Sequence, residues 1–159
     1  MTDATQDFWK RIGDTQAGML GLASDGELVP MSPNLRDDND GKIYFITAKG
    51  TDLVEKTKDV ALPARFVAAE GKSGLYCNIE GTLEMCHDSA IVDELWSPIA
   101  AAWFDEGRED EDIRLLAFTP KSGAAWFSTT SGAKFVYEIA KANMTGDQPD
   151  TGYQAELRF

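Results

Sequence analysis

Short apolar runs separated by tight, glycine-bearing turns constrain this chain more than any other feature. AGMLGLA (17–23) and ELVPMSP (27–33) flank Ser24-Asp25-Gly26, and Asp-Gly between two apolar runs is a strong hairpin signal. ALPARFVAA (61–69) and LYCNIEGTLEM (75–85) flank EGKSG (70–74) in the same way. Turns this short have no room for a parallel crossover, so successive strands must pair antiparallel. KIYFITA (42–48), IRLLAFTP (113–120) and GAAWFST (123–129) supply further strands.

Helical spacing interrupts the strands instead of alternating with them. Thr5 to Gly13 places Phe8 and Ile12 on one face, and a short helix is expected at about 52–59, opening at Thr51 or Asp52, with Glu55 three positions on from Asp52. A longer helical segment starts at His87-Asp88 and aligns Ile91, Leu95, Ile99 and Trp103 on one broad apolar face, with Pro98 kinking or dividing it. By default such a face packs in a core or a dimer interface. A last helix is expected from Ala133 to Asn143. The pattern predicts a mainly β (α+β) fold, a small antiparallel barrel with peripheral helices, as one domain over 1–159. Within it, 146–159 forms a tail whose end, YQAELRF (153–159), alternates Tyr153, Ala155, Leu157 and Phe159; it reads equally as an extended segment on a surface or as a frayed end.

The 159 residues, 43% of them hydrophobic, with four Trp and eight Phe, suit a folded core. A formal net charge of −12 sets a field that repels nucleic acid and anionic membrane, and neither is expected as a partner. The absence of a basic start followed by an apolar stretch gives the expectation of no signal peptide and a cytoplasmic protein. Cys77 and Cys86 are read as free thiols, although their number permits one disulfide. His87 has no Cys or His at ligand spacing, and no metal site is expected.

Searching for catalytic side chains yields none: there is no Gly-x-Ser-x-Gly, no phosphate-binding P-loop and no G-x-G-x-x-G after a strand. The acidic runs at 37–40 and 105–112 read as solvated loops. The stretch Lys42–Asp59 is the exception, because a strand, a glycine turn and a helix start can cradle an anion.

Several segments together resemble a known family. They are the hairpin ending Pro30-Met31, the strand Tyr44-Phe45-Ile46-Thr47 with its following helix, and the strand Gly81-Thr82-Leu83. ELWSPIAAAWFDEG (94–107), Leu115-Leu116, Trp126 and the helix opened by Lys134 complete the set. Over residues 6–152 the chain resembles the general stress protein 26 group of the pyridoxamine 5′-phosphate oxidase-like, FMN-binding split β-barrel proteins. The resemblance implies an antiparallel six-stranded split β-barrel, a homodimer with FMN at the subunit interface, and possible FMN-dependent oxidoreductase activity on a small molecule. By position it implies Met31, Phe45, Ile46, Thr47, Thr51 and Trp103 as cofactor-binding residues. Val29 stands where a basic residue is expected, and Asp52-Leu53 where Arg-Lys is expected. The FMN site is therefore expected to be weakened, with Lys49, Arg65 and Lys72 as candidate replacement charges. The alternative reading is a non-catalytic stress-related dimer with a lost or altered flavin site.

Overall fold

The computed structural model describes residues 2–159. Helix α1 (Asp3–Gly13) opens at Thr2, whose hydroxyl accepts from the Thr5 amide at 3.1 Å. There follow β1 (Gly18–Leu22), β2 (Val29–Met31), β3 (Ile43–Ala48), α2 (Asp52–Thr57), β4 (Leu62–Glu70) and β5 (Leu75–Cys86). Two short helices, α3 (Ser89–Leu95) and α4 (Pro98–Ala101), precede β6 (Ile113–Ser128), α5 (Gly132–Thr145) and β7 (Gly152–Arg158).

The strands make one antiparallel sheet in the order β2-β1-β4-β5-β6-β3, with β7 added to β6. The sheet curls until β2 and β3 almost meet. Past the end of β2, an isolated bridge joins Asn34 to Tyr44, with amide-to-carbonyl distances of 2.9 and 2.8 Å. This is the antiparallel split barrel that the sequence leads one to expect. Alternation along β5 turns Leu75, Cys77, Ile79 and Leu83 inward, where they meet Phe45, Phe66, Phe118 and Phe127. A second, smaller cluster lies outside the barrel wall, where Tyr44, Leu115 and Ala117 meet Ile91 and Val92 of α3.

Several sequence expectations need correction. The runs 113–120 and 123–129 form one 16-residue strand, not two. The register of β5 against β6 shifts between Glu80 and Gly81, which leaves Lys121 as the extra residue beside Pro120. A bulge absorbs a proline that lacks an amide for the ladder, and Pro120-Lys121-Ser122-Gly123 only looks like a turn when its partner strand is unknown.

The helical face Ile91-Leu95-Ile99-Trp103 is not continuous either. Trp96 and Ser97 are extended, as the residue before a proline tends to be, and Ser97 caps a new helix with Pro98 in its first turn. Ile91 is buried, but Ile99 is 74% and Trp103 81% exposed. Of the two openings expected for α2, Thr51 holds the N-cap position, without a side-chain bond, and Asp52 falls in the first turn.

The tail is ordered. β7 pairs with Ser122–Ser128, Leu157 enters the barrel core at 2% exposure, Tyr153 stacks on Phe127 at 4.8 Å, and Phe159 meets Phe8 and Trp9 edge-on. Both cysteines are free, Cys77 buried within the barrel.

Candidate functional site

The antiparallel register set by Asn34 and Tyr44 would next place Ser32 opposite Ile46 and Pro30 opposite Ala48. No ladder forms there; the strands diverge instead and leave a cleft of about 470 Å³. Such a volume falls within the range usual for small-molecule sites. β2 and its extension supply Pro30, Met31, Ser32 and Asn34, and β3 supplies Ile46, Thr47 and Ala48. The roof is Ser97, Ile99, Ala100, Trp103 and Phe104, from α4 and the turn after it, and Ala17 closes one end.

Backbone geometry gives this cleft its polar groups. Tyr44 directs both its N–H and its C=O toward Asn34, away from β6. Strand alternation points the same groups of Ile46 and Ala48 toward the split, where no strand meets them. Thr47 and Ser32 are the hydroxyl-bearing residues of β3 and the β2 extension in the lining, and the Asn34 side-chain nitrogen donates to the Ser32 and Tyr44 carbonyls at 3.1 and 3.3 Å. The rim beside Asn34 is held by Arg36, which bonds Glu94 at 3.2 Å and lies 3.5 Å from Asp40. Tyr44 donates to Asp40 at 2.7 Å, and burial, reinforced by that bond, pushes its phenol well above the ordinary range.

Of the residues expected from the sequence, Met31, Ile46, Thr47 and Trp103 meet in this cleft. Phe45 does not reach it: its ring is fully buried inside the barrel, 5.6 Å from Phe66. Lys49 and Thr51 are exposed and lie beyond the end of β3, across a turn in which Gly50 takes a φ of +88°. Arg65 is committed elsewhere, to Glu80 and Asn78 at 2.7 Å each on the outer face of the sheet. Lys72 belongs to the β4–β5 turn and does not line the cleft. Sequence reasoning missed Ser32, Asn34, Ser97 and Phe104. The polar Ser32-Pro33-Asn34 just after a strand, and Ser97-Pro98 as a helix start, are the signals that point to them.

Tested against FMN, the cleft divides in two. A flat heteroaromatic ring fits: the walls are largely apolar, Trp103 stands at the rim, and an unpaired strand edge can meet alternating ring N–H and C=O groups. A phosphate does not fit, since no Lys or Arg lines the cleft.

Comparison with known proteins agrees with this architecture. A family model described as pyridoxamine 5′-phosphate oxidase like matches residues 3–150. Among solved structures, a candidate general stress protein 26 from Jannaschia sp. CCS1 is 48% identical, with all of both chains covered and a TM-score of 0.93. A general stress FMN/FAD binding protein from Xanthomonas citri is 30% identical over 82% of this chain and 93% of its own, with a TM-score of 0.71. A general stress family structure from Xanthomonas campestris is 31% identical over 82% of this chain and 93% of its own, at a TM-score of 0.69. No curated protein matches the sequence. A family match over nearly the whole chain, together with this barrel and its split, establishes that the chain belongs to the pyridoxamine 5′-phosphate oxidase-like family, in its general stress protein 26 group.

Proposed function

We propose that this protein is a flavin-binding general stress protein that holds the flavin ring in the split between β2 and β3 and passes electrons or hydride to a small molecule. The observation that supports it most is the unpaired backbone edge of Ile46 and Ala48, set opposite Ser32 and Pro30 in a cleft of about 470 Å³. The Xanthomonas citri relative, described as binding FMN or FAD, gives the reading a precedent within the same fold. A bound flavin would supply the redox chemistry. The chain's own part is to bind and orient: β3 meets the polar edge of the ring through main-chain groups, while Met31 and Trp103 limit access of water. The working form is a homodimer, because Ile99 and Trp103 beside the cleft, and Phe135, Val136 and Tyr137 on α5, are apolar and exposed in the single chain.

The test is the visible absorbance of the purified protein, followed by titration of riboflavin, FMN and FAD against flavin fluorescence. A saturable quench by at least one of them is expected, and the absence of any uptake at high-micromolar flavin sinks the proposal. Light scattering is expected to return twice the chain mass, and a monomer removes the homodimer from the reading. The charge pattern around the cleft favours a second reading, a non-catalytic dimer with an altered ligand, which predicts a colourless protein without flavin-dependent reductase activity.

A further inference from the structure

We infer that this cleft selects a flavin without a phosphate, at the level of riboflavin, and discriminates against FMN. The inference rests on the flavin reading above and narrows it to a ligand class.

The reason is the disposition of charge where a phosphate would emerge. None of the residues lining the cleft is ionisable. Around it, among the described residues, the cations are mostly engaged already: Arg114, opposite Thr47 on the β3–β6 ladder, donates to the Glu111 and Ile113 carbonyls at 2.8 Å each. Arg36, two positions beyond Asn34, is held between Glu94 and Asp40, and those partners raise the affinity of its guanidinium for its proton. On α2, Lys56 bonds Asp25 at 3.0 Å and Lys58 bonds Glu55 at 3.2 Å. Lys49 has no carboxylate partner among the described residues, and the chain that follows it carries Asp52 and Glu55 in the first turn of a helix only six residues long. Val29, on the same face of β2 as Met31, adds no charge, and Leu53 packs against the barrel core. A phosphate monoester carries close to two negative charges near neutral pH. Here it would give up its hydration for one exposed ammonium and a guanidinium already bonded to two carbonyls, inside the field of a chain of net charge −12. The uncharged ribityl chain of riboflavin meets no such penalty and can use the hydroxyls of Ser32 and Thr47.

Riboflavin and FMN, titrated against the full chain at low ionic strength, separate the possibilities. Riboflavin is expected to bind at least tenfold more tightly, and the gap is expected to narrow as added salt screens the repulsion. FMN binding as tightly as riboflavin, or tighter, overturns the inference and leaves the flavin reading intact. Binding of neither flavin overturns both. The paired substitution Val29→Arg with Asp52→Lys uses two exposed positions and spares Leu53, whose side chain the core needs. It is expected to raise FMN affinity at least tenfold without changing that for riboflavin. If a folded double variant, checked by circular dichroism, gains nothing for FMN, the charge argument fails.

Discussion

Arg11 shows how much one side chain can organise. Its guanidinium donates to the carbonyls of Ser73, Gly74 and Ser128 at 3.3, 3.0 and 2.7 Å and to the Asp7 carboxylate at 2.8 Å. It also lies 5.5 Å from the centre of the Phe127 ring. One residue of α1 thus ties together the β4–β5 turn and the end of β6. Gly74 must remain glycine for the same reason: its φ is +68°, and a Cβ there would come within 2.5 Å of both Arg11 Nη1 and the Ser128 carbonyl. Arg11→Ala strips a charged donor from three carbonyls and leaves Asp7 without its partner, so a loss of about 2–4 kcal/mol is expected by urea unfolding. Arg11→Lys keeps the charge without the fork and is expected to recover less than half of that. An alanine variant as stable as the parent would show that these contacts contribute little.

At the scale of elements, β7 is the clearest case of a segment fixed by long-range contacts. Tyr153 donates to Asp7 at 2.7 Å and so anchors the strand to α1. Burial tends to raise the Asp7 carboxyl, but the bonds from Arg11 and Tyr153 outweigh it and hold the group below its ordinary 3.8. Burial, and then the bond to Asp7, pushes Tyr153 up to about 12. A depressed acid contributes stability above its unfolded value and loses it as pH falls through the folded one. A raised phenol contributes below its ordinary 10.0 and loses that contribution as pH climbs toward 12. The anchor is therefore intact from about pH 4 to 10. Asp7→Asn is expected to lower stability by about 1 kcal/mol near neutrality, a modest figure because Tyr153 is half exposed. Melting curves of variant and parent should converge below pH 3.8. A difference that stays constant down to strong acid would sink this account.

β7 also marks where legibility in the sequence ended. The alternation of Tyr153, Ala155, Leu157 and Phe159 announced an extended segment, but nothing in it said that the free edge of β6 would receive it. The hairpin at Asp25-Gly26 was legible because turn chemistry is local. The bulge at Lys121 was not, because a bulge is defined by the partner strand. Periodicity named Trp103 as one of an apolar face but could not tell whether the chain itself would cover it. Met31, Ile46 and Thr47 were recognised through resemblance, while Ser32 and Asn34 came to light only once β2 and β3 were seen to part.

For the molecule as a whole, stability and binding divide along the sheet. From β1 through β4 and β5 to β6 the ladder is long and paired on both edges, and the core lies beneath it. The join between β2 and β3 is one bridge, and the cleft begins immediately beyond it. Amide hydrogen exchange should reproduce this division. The amides of Ile46 and Ala48 are expected to exchange far faster than that of Tyr44, and to slow when a flavin is added. Strong protection of Ile46 and Ala48 in the free protein would mean that the split is not open.

That one bridge also acts as a fastening. Swinging β2 away from β3 breaks the two hydrogen bonds between Asn34 and Tyr44 and no other part of the sheet ladder. On the scale of ordinary backbone hydrogen bonds, the resistance is about 1–3 kcal/mol. Steric rejection of bulkier ring systems at this aperture is therefore shallow. Discrimination between ligands must come from charge and from the geometry of the exposed strand edge, not from the width of the mouth.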